Sequence, residues 1–270
     1  MKFPKNNLRG RKLRRGLSCL LAIAIVMLCS SNIVMVAKAM GKQEVKGYVK
    51  VDTLLNLRKN PNMDATIIGE LLPGEIVTIV DMGDEKWTKV RTESGYEGYV
   101  VNDYLVVPGL DSEEYELISV AVITKTDGSS ENRNFNMERA ARYLNGLVVH
   151  SEDEFAWYST DKTEGIVGPA NKENGYKEAP IIVGGKSVMG YGGGVCQVST
   201  ALYNCIYKID IVPTQHHHHS LASSYVQKGM DATVSYPNKN FVFTNTKEYA
   251  ILFEAYTDGP QVVVVAYKIR

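Results

Sequence analysis

Short runs of alternating apolar and polar residues fill the first part of the chain. Gly47-Tyr-Val-Lys-Val51 alternates, as does Leu55-Asn-Leu-Arg58. The β-branched run Glu75-Ile-Val-Thr-Ile-Val80 repeats the pattern. Turn signals separate the runs: Asn60-Pro61-Asn62, Pro73-Gly74 and the polar stretch 81–86. Trp87-Thr-Lys-Val90 and Gly98-Tyr-Val-Val101 complete the set. Many short strands at this spacing predict a small all-β barrel. A short acidic linker, 108–116, follows. The remainder mixes both periods. A strand is expected at 117–124, then a helix over 137–144 capped by Asn136 and closed by Asn145-Gly146. Short strands are expected at 147–149 and 155–158, and a hairpin at 181–188 around Gly184-Gly185. A helix runs from near Cys196 to about Lys208, with Val198, Leu202, Cys205 and Ile206 near one face. Strands at 232–236, 241–244, 249–256 and 261–269 end the chain.

Charge alters this picture at one end only. The 270 residues carry 30 Lys and Arg against 30 Asp and Glu, a formal net charge of zero. Lys2, Lys5, Arg9, Arg11, Lys12, Arg14 and Arg15 precede an uncharged run, 16–37, and with Lys38 they make residues 1–39 wholly basic. The rest holds 22 basic and 30 acidic residues, a net of −8, which argues against nucleic-acid binding. Ala37-Lys38-Ala39 has the small-x-small pattern of a signal-peptidase site. Residues 1–39 therefore read as a signal peptide or as a retained membrane anchor, the uncharged run being long enough to span a bilayer. Both place the body outside the cytoplasm, anchored to the membrane or secreted into the wall. With 44% apolar and 22% charged residues, that body can bury a core.

Cys19 and Cys29 fall in the export segment, leaving Cys196 and Cys205. Nine positions apart on one helix, they lie on opposite faces about 13 Å apart along the axis, beyond the roughly 7 Å a disulfide spans. Two free thiols are expected. Gly192-Gly193-Gly194 puts Cys196 at a helix N-terminus, where orphan amides and the dipole favour a thiolate. Gly193 and Gly194 could also admit a substrate closely and offer amides to an oxyanion. The same position equally suits a small structural cysteine beside a packing turn. The run His216-His217-His218-His219-Ser220 could supply a base, a metal ligand or a plain polar loop. Adjacent histidines on a strand point to opposite faces, so four in a row cannot serve one metal. No CxxC or HExxH pattern supports zinc, and no metal site is expected. Asp231 could orient the base or be a turn aspartate.

Two resemblances sharpen these readings. Leu55-Asn-Leu-Arg58, Ile68-Gly69, Pro73-Gly74, Trp87-Thr-Lys-Val90 and Gly98-Tyr-Val100 resemble the bacterial SH3 domain over 45–107. Such domains bind cell-wall peptides or act as spacers, and Trp87 and Tyr99 are expected as core and rim or as ligand contacts. Asn171 to Tyr176, Lys177-Glu-Ala-Pro-Ile-Ile-Val183, Gly192-Gly-Gly-Val-Cys-Gln-Val-Ser-Thr-Ala-Leu-Tyr-Asn204, His219-Ser220, Tyr225-Val226 and Gly229-Met-Asp-Ala-Thr-Val234 resemble the VanW family over 117–270. The resemblance implies an L,D-transpeptidase of peptidoglycan stem peptides, with Cys196 as nucleophile and His219 as its histidine. Gln197, next to the cysteine in the motif, is expected at substrate or oxyanion or as a helix cap, and Tyr225 is expected on the substrate side with Gly193 and Gly194. His216 to His218 depart from the family pattern and leave the base open. No cofactor is needed. A non-catalytic peptidoglycan-binding envelope protein and a cysteine peptidase or amidase are the rival expectations. If residues 1–39 are uncleaved, the cytoplasmic membrane is a further partner. The fold class expected is α+β, an SH3-like barrel followed by a mixed α+β VanW-like domain.

Overall fold

The computed structural model describes residues 44–270 except 111, 126–128 and 222. The expected export segment, 1–39, lies outside the described residues. Seven strands come first: β1 (Lys46–Val49), β2 (Leu55–Arg58), β3 (Ile67–Leu71), β4 (Ile76–Asp81), β5 (Trp87–Thr92), β6 (Glu97–Val101) and β7 (Leu105–Val106). Their inward positions, Val49, Leu57, Leu71, Val77, Val90 and Val100, form one core, as the alternation of the sequence requires. Trp87 is buried. The sheet order is β3-β2-β6-β5-β4-β1-β7, and it is not closed into the expected barrel. β2 meets β6 at the single pair Arg58 and Tyr99. β7 has two residues, both paired with β1, too few to carry a ladder round to β3.

The second unit follows in the order β8 (Tyr115–Thr124), α1 (Glu131–Leu144), β9 (Leu147–Val149), β10 (Glu154–Ala156), β11 (Glu178–Val183) and β12 (Lys186–Tyr191). It continues with α2 (Val195–Tyr207), β13 (Pro213–Gln215), β14 (Val242–Thr244), β15 (Ile251–Asp258) and β16 (Gln261–Ile269). The described residues are thus strand-rich, with two α-helices. The main sheet has the order β8-β16-β15-β9 and is antiparallel throughout. One face, with Ala121, Ile123, Val262, Val264, Ala266 and Phe253, packs on α1 and α2. The other face, with Leu117, Val120, Val122, Val263, Val265 and Tyr267, packs on Tyr48, Ile76 and Val106 of the first unit. Tyr48 and Tyr256 share a hydroxyl hydrogen bond of 2.7 Å across that contact. Residues 261–267 are consequently buried without a break. Burial on both faces explains why β16 reads as a continuous Val-rich run rather than an alternating one.

Three local expectations are corrected. α1 begins at Glu131, six residues earlier than expected, because Ser130 is its N-cap and accepts the Arg133 N–H at 3.3 Å. Asn136 is no cap. Fully buried, it donates to Lys177 O at 2.9 Å and Gly193 O at 3.1 Å and accepts the Lys177 N–H at 2.8 Å. It thereby fastens the glycine turn and the start of the β11–β12 hairpin to α1. Residues 232–236 make no ladder; a lone bridge joins Ser235 to Lys239. Their backbone is used elsewhere: the Ala232 N–H goes to Thr200 Oγ1 at 3.0 Å, and the Thr233 N–H to His217 O at 2.8 Å.

α2 is amphipathic in an unusual sense, since nearly all of it is buried. Val198, Ala201, Leu202, Cys205 and Ile206 face the apolar core. Leu202→Ala leaves a cavity there and is expected to lower stability by about 2–5 kcal/mol, measured by urea unfolding. A loss below about 1 kcal/mol would contradict this placement.

Candidate active site

α2 starts where the chain can turn sharply. Gly194, the N-cap residue, has φ 107° and ψ −27°, which residues with a Cβ rarely adopt. A Cβ at Gly193 would lie 2.6 Å from Pro180 O, so α2 and the hairpin approach as closely as they do only because that position is glycine. Both glycines abut this chain's own atoms, Pro180 and Ala179 for Gly193 and Arg133 and Met137 for Gly194. The expectation that they admit substrate is corrected on this point: the space beside their α-carbons is filled by the fold.

Cys196, the second residue of α2, is partly exposed, whereas Cys205 is buried; neither is in a disulfide. The Cys196 Sγ lies 3.5 Å from Thr233 Oγ1 and 3.4 Å from Val234 O. The His219 imidazole is close enough to the sulfur to act on its titration as a donor and as a charge. Its Nδ1 is 2.7 Å from Asp231 Oδ2, and a carboxylate only accepts, so Nδ1 carries the proton and Nε2 is left for the sulfur. Asp231, 6% exposed, also accepts the His219 backbone N–H on Oδ2 at 2.7 Å and the His218 Nδ1–H on Oδ1 at 3.1 Å. The histidine run after β13 forms no strand, and His216, His218 and His219 meet different atoms of Asp231. His216 Nε2 donates to Asp231 O at 2.8 Å. His217 contributes its carbonyl to Thr233. His218 is exposed, and of the four histidines only His219 acts on the Cys196 thiol.

The electrostatics follow from these contacts. Burial pushes the Cys196 thiol up, but the hydrogen bond and positive charge of His219 outweigh it, and the thiol sits below its ordinary value. Burial pulls His219 down, while Cys196 and Asp231 hold it above the usual imidazole range. Burial raises Asp231, yet the N–H groups of His219 and His218 bring its carboxyl below the usual range. Cys205 has no such partner set, and burial pushes it up to about 11.

Aromatic rings enclose the sulfur side. Tyr225 meets His219 edge-on, with centroids 6.4 Å apart. Burial, and then the nearby Cys196 charge, raise both Tyr225 and Tyr158, so both phenols stay protonated. Thr233 and Tyr158 carry no motif of their own. The only signal for Thr233 is its place two residues after Asp231, on the same side of an extended segment. Gln197, expected at substrate or as a helix cap, is corrected. It is 1% exposed, its Oε1 accepts from Arg133 Nη2 at 2.7 Å, and its Nε2 donates to Ile123 O at 3.0 Å and Pro260 O at 2.8 Å. One helical step of 100° turns it from the cleft into the core. Among the described residues, no group of three His, Cys, Asp or Glu is arranged to hold a metal.

The family model described as VanW like protein matches residues 132–267, just over half of the chain. The chain belongs to the VanW family. Residues 52–106, N-terminal to the VanW region, match the bacterial SH3 domain model. The chain is 32% identical over 166 residues to the uncharacterized protein YoaR of Bacillus subtilis, covering 60% of this chain and 53% of that protein. It is 31% identical over 110 residues to the vancomycin B-type resistance protein VanW of Enterococcus faecalis, covering 39% of this chain and 38% of that one. The chain thus spans about half, or less, of the curated relatives it matches. Cys196, His219 and Asp231 all lie inside the VanW match.

At neutral pH the lowered thiol of Cys196 holds more thiolate than an ordinary cysteine, and Cys205 holds almost none. Iodoacetamide is expected to label Cys196 at least about tenfold faster than Cys205, each pKa unit being worth tenfold in thiolate. The labelling midpoint should lie below the ordinary cysteine value of about 8.5 and rise in His219→Ala. Mass spectrometry of labelled peptides reads both, and equal labelling of the two thiols would refute the assignment.

Proposed function

We propose that this VanW-family chain is a cysteine-dependent L,D-transpeptidase of the cell envelope, acting on peptidoglycan stem peptides. The observation that carries the reading is the contact series Cys196–His219–Asp231 at the N-terminus of α2. A thiol, an imidazole of fixed tautomer and a buried carboxylate are the parts that acyl transfer needs. The basic-then-apolar pattern of residues 1–39 supports export, and the SH3 unit supports a wall-facing location. One relative is named for vancomycin resistance.

In this mechanism the Cys196 thiolate attacks the carbonyl carbon of the third residue of a tetrapeptide stem. The C–N bond to the terminal D-Ala breaks, and the leaving amine takes the proton held at His219 Nε2. A thioester remains on Cys196. The side-chain amine of another stem's third residue then attacks that carbonyl and returns its proton to His219. The C–S bond breaks, giving a 3–3 cross-link and the free enzyme. Asp231 stabilises the imidazolium in both halves and stays ionised. The phenols of Tyr225 and Tyr158, protonated and beside the sulfur, are donors placed to meet charge developing on the carbonyl oxygen. Water in place of the amine would make the same site a carboxypeptidase. A scaffold that grips the wall without chemistry has no use for a thiol set beside a carboxylate-held imidazole.

Purified tetrapeptide muropeptides incubated with the protein are expected to yield 3–3 dimers with release of D-Ala. Cys196→Ala is expected to abolish both products, read by liquid chromatography and mass spectrometry. D-Ala release without dimers assigns the carboxypeptidase reaction; unchanged dimer formation in the variant would sink the proposal.

A further inference from the structure

The histidines beside His219 are not idle. Cys196 and Tyr203 both lie on α2, seven residues or about two turns apart. From Tyr203 a series of side-chain contacts returns to Cys196 through another segment. The His216 ring stacks on Tyr203, with centroids 4.2 Å apart and planes at 27°. His218 meets His216 edge-on at 4.5 Å and 77°. The His218 Nδ1–H then reaches Asp231 Oδ1, while His219, the charge that acts on Cys196, holds Oδ2. His216 also donates to the Asp231 main-chain oxygen. The loop of contacts begins and ends on one helix.

We propose that His218 and His216 are positioning residues that fix the Asp231 carboxylate against His219, a role that rests on His219 being the base of Cys196. Rotation about the Cβ–Cγ bond carries both oxygens, so the donor on Oδ1 adds to the two on Oδ2 in holding one orientation. The titratable groups against Asp231 are His216, His218 and His219, with Tyr203 and Tyr225 beyond them, and those against His219 are Asp231, Cys196 and Tyr225. His218 has 52% of its side chain exposed, so its removal disturbs little of the core. With the carboxylate held from one side only, the imidazolium is less well placed and the counter-charge beside the thiol is weakened.

The test is the pH profile of Cys196 alkylation by iodoacetamide in the full chain. In His218→Ala the thiol titration is expected to move up, with labelling near pH 7 slowed about tenfold, one pKa unit. His218→Asn, whose Nδ2–H group takes the place of the ring Nδ1–H, is expected to restore most of the rate. His218→Gln, whose amide lies one bond further out, should follow alanine. His216→Phe keeps the stack on Tyr203 but loses the bond to Asp231 O, and should shift the profile by less. Cys205 should stay unlabelled in all variants, which reports that they are folded. A profile in His218→Ala and His218→Gln that overlays the wild type, or moves down, overturns the proposal. Muropeptide cross-linking keeps the two ideas apart. A moved profile with no dimers from the wild type leaves the positioning role standing and sinks the transpeptidase. Normal dimers with an unmoved profile do the reverse.

Discussion

A carboxylate taken out of water has to be met by donors, and at Asp231 that requirement organises the site. Three N–H groups reach it, all from two adjacent residues, His218 and His219. One is a backbone amide, so the bond fixes the path of the chain as well as a ring. Once Asp231 holds Nδ1 of His219, the opposite nitrogen has one place to point, and Cys196 is there. Asp231 is in turn held to the cysteine's helix by its neighbours. Ser199 Oγ donates to Ala232 O at 2.7 Å, and Asn204 Nδ2 to Met230 O at 2.7 Å. The polar side of α2, from Cys196 through Ser199 and Thr200 to Asn204, is a rail on which the acid and the base are mounted.

That rail was partly legible in the sequence. The apolar spacing of Val198, Leu202, Cys205 and Ile206 placed a helix over nearly the observed span and separated the two cysteines onto different sides. The three glycines marked its start. The residues between, Ser199, Thr200 and Asn204, look like ordinary small polar residues until the segment 230–232 is laid against them. Contacts between segments thirty residues apart leave no trace in local periodicity, and the strand expected at 232–236 failed for the same reason. Its alternation is real, but its hydrogen bonds go to a helix and a loop rather than to a neighbouring strand.

Gln197 shows a different failure. Its place beside the cysteine suggests chemistry, yet adjacency in sequence on a helix means divergence in space. Its three hydrogen bonds tie α2 to α1, to β8 and to the turn before β16. It holds the site up from behind. The first unit misled in another way. Strand count and spacing were readable, but closure depends on whether the edge strands meet, and the two-residue β7 does not reach β3.

The double burial of β16 bears on how such a chain can be recombined. Val120, Val122, Val263 and Val265 have one face of the sheet covered by Tyr48, Ile76 and Val106. The SH3 unit therefore supplies a layer of its neighbour's interior, and the acidic segment joining them is not a free tether. Cutting at that segment would wet a row of valines. A different module grafted in its place would have to bring a matching tyrosine and an apolar strand edge of its own. Two parts that look interchangeable along the sequence are bound to one another by the back of a single sheet.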